Sequence, residues 1–344
     1  MPFARAACSL IALASFAASA GPAASAAPAA TAADRTFTFR YTAKIAAPPA
    51  GQPIDLFLPL PPNNDAQQIT SLKVEGPIRG LEATEPRFGN RYWHGHLDAS
   101  DGKPIEMAVV ATVKRKTVKG PLGEAGPTEY TAEEKDRLQK FLAPDAHVPL
   151  KGGPIDKIDA DLTAKLGANA GDPALAARAI YDYVVDNMEY KKVGTGWGNG
   201  DTFWACSAKY GNCTDFHALF LSLARRRGIP AKFEMGFPLP LEMKEGKIPG
   251  YHCWVEFWLP GRGWVPIDAS EARKHPEQRE LLFGAQPPDR LQLSEGRDLN
   301  LSGMHGPPLN YFIYPHLEVA GEPSKAVAWE MQFKEVGGAA GGEK

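Results

Sequence analysis

The chain has 344 residues, of which 44% are hydrophobic and 23% charged, with 34 Gly and 31 Pro. This composition is typical of a folded globular protein and excludes disorder over the whole length. Lys and Arg number 38 against 40 Asp and Glu, a net charge of -2, and there is no extended basic run. We therefore expect no nucleic-acid partner.

Residues 1–33 have the features of a secretory signal peptide followed by an Ala-rich linker. Arg5 precedes an apolar stretch, and two A-x-A sites of small residues follow. The apolar stretch is shorter than the roughly 20 residues that a membrane span needs, and Gly21 and Pro22 interrupt it. We expect a periplasmic or secreted protein with no integral membrane segment in the mature chain.

Residues 35–120 show a period of two, as at Phe37, Phe39 and Tyr41, with turn residues between the apolar segments. This pattern predicts a small all-β, sandwich-like domain. Helix signals follow at Thr131 and at Asp172, both placed as N-caps. We expect an α+β domain with C-terminal strands over residues 127–336, and a disordered Gly-rich tail over 337–344.

Cysteine usage supplies the first indication of chemistry. Cys8 lies in the predicted leader, so the mature chain would keep Cys206, Cys213 and Cys253. An odd number leaves at least one free thiol in an oxidising compartment. Cys206 could pair with Cys253 or with Cys213, or both Cys206 and Cys253 could be buried thiols, and the sequence does not choose.

Cys213 is predicted at the first position of a helix. Asn212 can cap this helix, and Gly228 followed by Pro230 ends it. The first N–H groups of a helix have no intrahelical partner, and the helix dipole is positive there, so a thiolate is favoured over a thiol. The same N–H groups could stabilise an oxyanion. Cys213 is therefore a candidate nucleophile.

A predicted hairpin supplies a candidate base and a carboxylate to orient it. In residues 251–259 the odd positions are apolar, so Cys253 should face the core and His252 the opposite side. We predict an odd-length loop at residues 260–262, or an equivalent bulge. Such a loop keeps Asp268 on the His252 face, diagonally one rung away. Asp268 could then hold the imidazole of His252, as in a nucleophile, base and orienter triad.

These segments, over about residues 172–276, resemble the transglutaminase-like superfamily of papain-like Cys-His-Asp enzymes, in particular its exported bacterial members. The matching motifs are Gly-Asn-Cys213-Thr-Asp-Phe-His, residues 227–237, His252-Cys-Trp-Val-Glu-Phe and Gly263-Trp-Val-Pro-Ile-Asp268-Ala-Ser. The resemblance implies Cys213 as nucleophile, His252 as base and Asp268 as orienter. It also implies a helix that bears the cysteine and packs on an antiparallel sheet.

The resemblance further implies a cysteine enzyme that acts on amide bonds through an acyl-thioester. We expect hydrolysis rather than crosslinking, since the sequence has no EF-hand-like acidic loop. A peptide, a protein or a cell-wall peptide is the expected substrate, and no cofactor is expected. The alternative is a non-catalytic periplasmic binding or scaffold protein with the same fold.

Further residues near these motifs have weaker assignments. Trp204 and Asn212 could contribute to a substrate groove or oxyanion hole, and Asp215 and His217 could support the triad. Cys213 and His217, four residues apart, could instead bind a metal with other nearby cysteines, but there is no C-x-x-C pair, so we predict no metal site. The alternating pair His94 and His96 is interpreted as solvent-facing polar alternation with no role.

Overall fold

The protein is described here from a computed structural model that covers residues 34–123 and 126–336. The predicted leader, residues 1–33, and the predicted tail, residues 337–344, lie outside the described residues. The described chain forms three antiparallel sheets of four or five strands, two small strand pairs and six α-helices. The expected α+β class, with an all-β region preceding a helix packed on an antiparallel sheet, is confirmed.

Two five-stranded sheets form the β region. The first contains, in order across the sheet, β11 (Glu245–Lys247), β18 (Val327–Glu335), β1 (Arg35–Ile45), β6 (Ile105–Arg115) and β3 (Gln67–Glu75). The second contains β17 (Glu322–Ser324), β16 (His316–Val319), β2 (Ile54–Pro59), β5 (Arg91–Leu97) and β4 (Gly80–Thr84).

Alternating burial explains why these segments form strands. In β1 the odd positions from Phe37 to Ile45 are buried, while most of the even positions between them are partly exposed. All six residues of β2 are buried because both faces of this strand are covered. Leu56 and Leu58 join the main core, whereas Phe57 joins a second cluster with Leu299 and Phe312.

The C-terminal strands differ from the expected domain layout. β18 pairs with β1, and β16 pairs with β2, so both belong to the β region rather than to the catalytic region. A long strand such as β1 presents backbone donors and acceptors along both of its edges. β6 satisfies one edge and β18 the other. Hydrophobic periodicity predicts a strand but does not indicate which strand it pairs with.

The candidate catalytic region contains a four-stranded sheet and most of the helices. The sheet order is β13 (Gly263–Ile267), β12 (His252–Leu259), β10 (Ala231–Pro238) and β15 (Arg290–Glu295). The helices are α1 (Ala132–Arg137), α2 (Gly153–Leu166), α3 (Pro173–Asn187), α4 (Thr202–Ala208), α5 (Cys213–Arg226) and α6 (Ala269–Lys274). Short 3-10 helices cover Gln139–Phe141, Gly167–Gly171 and Pro276–Gln278. The small strand pairs are β14 (Ala285–Gln286) with β7 (Val118–Lys119), and β8 (Glu189–Tyr190) with β9 (Tyr210–Gly211).

Local sequence signals set the helix ends. Thr131 and Glu134 form a capping box at α1, and Asp172 accepts two backbone N–H groups at the start of α3. α5 packs against β12 and β10, and its residues from Cys213 to Arg225 are all buried. A helix buried on every side needs the rest of the fold around it, so α5 is the central element of this region. Within the described ranges, no helix has the length and apolar character to cross a lipid bilayer.

Candidate active site

Cys213 is the first residue of α5, as predicted, and only 1% of its surface is exposed. The Asn212 side chain caps the helix by accepting a hydrogen bond from the Thr214 backbone N–H at 3.0 Å. In return, the Asp215 carboxylate accepts the Asn212 backbone N–H at 3.0 Å. This reciprocal capping fixes the first turn of the helix and with it the position of the Cys213 sulfur.

Asp215 also ties the preceding loop to the start of the helix. Its carboxylate accepts the backbone N–H groups of Gly198, at 2.7 Å, and of Gly200, at 3.1 Å. A side chain at Gly211 would place its Cβ 2.2 Å from the Asp215 carboxylate, so only glycine fits at this position of the motif. The predicted supporting residue Asp215 therefore acts on the backbone rather than on the Cys213 side chain.

The hairpin that carries His252 and Asp268 has the predicted register. Leu259 of β12 pairs with Gly263 of β13, so residues 260–262 form a three-residue loop, with Gly261 at a φ of +63°. Even-numbered residues of the two strands consequently share a face. His252 Nε2 lies 2.6 Å from Asp268 Oδ2, and both side chains are buried. The predicted contact between the two residues is present.

Asp268 is the N-cap of α6 and accepts several hydrogen bonds. Its Oδ1 accepts the Glu271 backbone N–H and the Ser270 hydroxyl, each at 3.0 Å, and its Oδ2 accepts Arg290 Nη1 at 3.1 Å in addition to His252. Burial by itself would raise the pKa of Asp268, but the charges of His252 and Arg290 hold it well below its usual range. The carboxylate stays ionised beside the imidazole.

The pKa values of Cys213 and His252 are shifted in opposite directions in this environment. Burial would raise the pKa of Cys213, but hydrogen bonds from Cys253 and His252 lower it to about 5. Burial would lower the pKa of His252, but the charge and hydrogen bond of Asp268 and the hydrogen bond to Cys213 raise it to about 10. Because Nε2 of His252 faces Asp268, Nδ1 is the ring nitrogen left to face the sulfur. At neutral pH the pair is thiolate and imidazolium.

Arg290 is a site residue that sequence reasoning missed. It lies on β15, is 2% exposed, and places its guanidinium 5.1 Å from the centre of the Trp254 ring while it bonds Asp268. Asp289 bonds the other side of the same guanidinium at 2.9 Å. Arg290 lies next to Asp268 only because β15 pairs with β10. No local sequence motif predicts that pairing.

His217 and Cys253 lie beside the triad. The Ala269 backbone N–H donates to His217 Nε2 at 3.2 Å, and His217 Nδ1 lies 3.4 Å from Cys253 Sγ. Cys253 in turn hydrogen-bonds the Cys213 sulfur. His252 and Cys253 are neighbours at the start of β12, and both interact with Cys213.

Trp204 and Asn212, the predicted groove residues, each donate a hydrogen bond to a tyrosine. The indole N–H of Trp204 donates to the Tyr210 carbonyl at 3.2 Å, so this structure does not aim it at Cys213. The amide nitrogen of Asn212 donates to the Tyr251 hydroxyl at 2.8 Å. Cys206 is half-buried and, like Cys213 and Cys253, is not part of a disulfide. Neither alternative disulfide of Cys206 is formed in this structure.

One group of potential metal ligands lies at the site itself. Donor atoms of His252, Asp268 and Glu271 lie within 4.8 Å of one another. However, the guanidinium of Arg290 already bonds the Asp268 oxygen that faces His252, and its positive charge opposes a cation there. Away from the site, His94 and His96 on β5 share Asp55 Oδ1 at 2.7 Å and 2.9 Å. His96 is exposed and His94 is partly exposed, so both face solvent while they bond this carboxylate.

Comparison with known proteins identifies the fold. Residues 160–269 match the profile of the transglutaminase-like superfamily. An uncharacterized protein of Haemophilus influenzae is 29% identical over 328 aligned residues, which cover 83% of this chain and 86% of that protein. The crystal structure of a candidate cysteine protease from Cytophaga hutchinsonii gives a TM-score of 0.59 at 17% identity, over 89% of this chain and 92% of that chain. The periplasmic domain of TgpA from Pseudomonas aeruginosa gives a TM-score of 0.32 at 15% identity, over 73% of this chain and 92% of that domain.

The profile match spans the segment that carries Cys213, His252 and Asp268. The fold shared with the Cytophaga protein extends over most of both chains, including the flanking β region. Residues 160–269 of this chain carry a transglutaminase-like domain.

Proposed function

We propose that this protein is a cysteine-dependent enzyme that cleaves amide bonds of a peptide, a protein or a cell-wall peptide. One observation supports this proposal above the others: the His252 imidazole lies between the Asp268 carboxylate, at 2.6 Å, and the Cys213 sulfur. A platform that only binds a partner has no need of a buried thiolate paired with a buried imidazolium, since keeping both charges out of water is costly.

The proposed reaction begins when the Cys213 thiolate attacks the amide carbonyl carbon and forms a C–S bond. The carbonyl electrons move to oxygen, which the backbone N–H of Cys213 at the helix start can stabilise. Collapse of this intermediate breaks the C–N bond, and His252 Nδ1 donates its proton to the leaving nitrogen. The products of this half-reaction are an acyl-thioester on Cys213 and a free amine.

We propose water as the acyl acceptor. His252, now neutral, removes a proton from water as the water attacks the thioester, and collapse releases a carboxylic acid and restores the thiolate. The sequence has no EF-hand-like acidic loop of the kind that a calcium-dependent crosslinking enzyme would use, which favours water over an amine. The leader-like sequence of residues 1–33 supports action in the periplasm or outside the cell.

Trapping the nucleophile tests the proposal. Iodoacetamide labelling at pH 6, resolved by peptide mass spectrometry, should modify Cys213 much faster than Cys206, and His252→Ala should remove the difference. Incubation with peptide and muropeptide libraries should then release new carboxyl groups without incorporating an added amine. Labelling of Cys213 no faster than a simple thiol would favour a scaffold protein, and amine incorporation would favour transamidation.

A further inference from the structure

Cys253 is a buried thiol that the proposed reaction does not use. It is 0% exposed and follows His252 directly on β12, yet its sulfur contacts two residues of α5, Cys213 and His217. A buried cysteine with apolar neighbours alone would need no explanation beyond packing. Here the neighbours are the candidate nucleophile on one side and a histidine on the other.

The hydrogen bonds around Cys253 have a fixed direction. A backbone N–H can only donate, so the Ala269 N–H, 3.2 Å from His217 Nε2, makes that nitrogen an acceptor. Burial lowers the pKa of His217 to about 4, so the ring is neutral at physiological pH. The single ring proton is consequently on Nδ1, which lies 3.4 Å from Cys253 Sγ and shares this proton between that sulfur and the Cys213 backbone.

The position of the His217 ring proton determines which hydrogen bond Cys253 can donate. Its sulfur accepts the hydrogen bond from His217, so its own S–H proton remains available for Cys213. Burial keeps the pKa of the Cys253 thiol well above its ordinary value, so this proton stays on its sulfur. The chain of donors then runs from Ala269 through His217 and Cys253 to the Cys213 thiolate, and each member donates to the next.

We propose that Cys253 is a positioning residue that holds Cys213 as a thiolate by donating its S–H hydrogen bond to the Cys213 sulfur. The proposal rests on the proposed function of Cys213. It assigns part of the thiolate stabilisation to a group outside the Cys-His-Asp set. Because α6 begins directly after Asp268, the backbone N–H of Ala269 links this donor chain to the same helix start that orients His252.

The test measures the pKa of the Cys213 thiol from the pH dependence of its alkylation rate. Cys253→Ala removes the donor, and a hydrogen bond to a charged group corresponds to a pKa rise of about one to two units. Alkylation of Cys213 at pH 5 should fall about five- to fiftyfold, while the rate above pH 9 should change little. Cys253→Ser keeps an O–H donor of similar size and should restore the profile to within about half a unit.

Cys206→Ala is the matched control, since Cys206 is the other free thiol of the region and should leave the profile unchanged. Circular dichroism establishes that each variant is folded, and the Ala and Ser variants differ by one oxygen, so a packing defect alone would not separate them. A low pKa in wild type that persists in Cys253→Ala would overturn the proposal and leave the enzyme assignment intact. An ordinary thiol pKa in wild type would instead contradict the proposed function itself.

Discussion

Replacing Asp268 by Asn should dissociate the thiolate–imidazolium pair while preserving shape. The pKa of Cys213 is lowered from 9.0 to about 5, which corresponds to about 5 kcal/mol of interaction that favours the thiolate. Asp268 supplies the charge that keeps His252 protonated. Breaking a buried ion pair costs about 3–5 kcal/mol, or about two to four pKa units. Without the negative charge of Asp268, the nearby positive charge of Arg290 would further disfavour the imidazolium form of His252.

The assay is alkylation of Cys213 as a function of pH. A thiol with a pKa of about 5 is about 90% ionised at pH 6, whereas a pKa of about 7 leaves about 10%, so the rate at pH 6 should fall about tenfold. Asp289→Asn is the control, because it removes a carboxylate bonded to the same arginine without touching His252. An Asp268→Asn variant that is folded and keeps the wild-type profile would refute the reasoning.

Other expectations concern residues around the triad. Arg290→Met should lower the free energy of unfolding, measured in urea, by about 3 kcal/mol, because it leaves a buried carboxylate with one cation fewer. Asp215→Asn weakens its acceptance of three backbone N–H groups and should lower stability by about 1–3 kcal/mol, with faster amide exchange at residues 198 and 200. His217 has a folded pKa of about 4 against 6.5 in the unfolded chain. The unfolded state therefore binds more protons between these values, and stability should fall by up to about 3 kcal/mol as pH drops from 6.5 to 4. His217→Gln should lose that part of the pH dependence, and equal slopes in both proteins would contradict the assignment of a neutral His217.

The positions of Cys213 and of the hairpin residues could be predicted because they depend on local rules. Asn212 caps the start of α5, and Gly228 followed by Pro230 ends it. Side-chain alternation and the three-residue loop place Asp268 on the same face as His252. Each rule involves residues within one element or one turn. These are the interactions that spacing along the chain encodes directly.

The remaining features depend on contacts between distant segments. Arg290 reaches Asp268 through the pairing of β15 with β10, and β18 reaches β1 across most of the chain. The contact of Cys253 with Cys213 arises because a helix start lies at the end of a strand, where alternation no longer separates neighbouring side chains. Hydrophobic periodicity predicts which face of a helix or strand is buried, but it does not predict which residues come into contact where two elements end.

The pairing of β1 with β18 has a consequence for how the protein reaches its native state. Phe37 and Glu335 are register partners although nearly the whole described chain separates them. Closing such a loop is slow and brings no stabilisation until both strands exist. The first sheet can therefore be completed only after synthesis has passed residue 335, and a nascent chain should remain susceptible to proteases until that point. Once closed, the sheet joins both ends of the described chain.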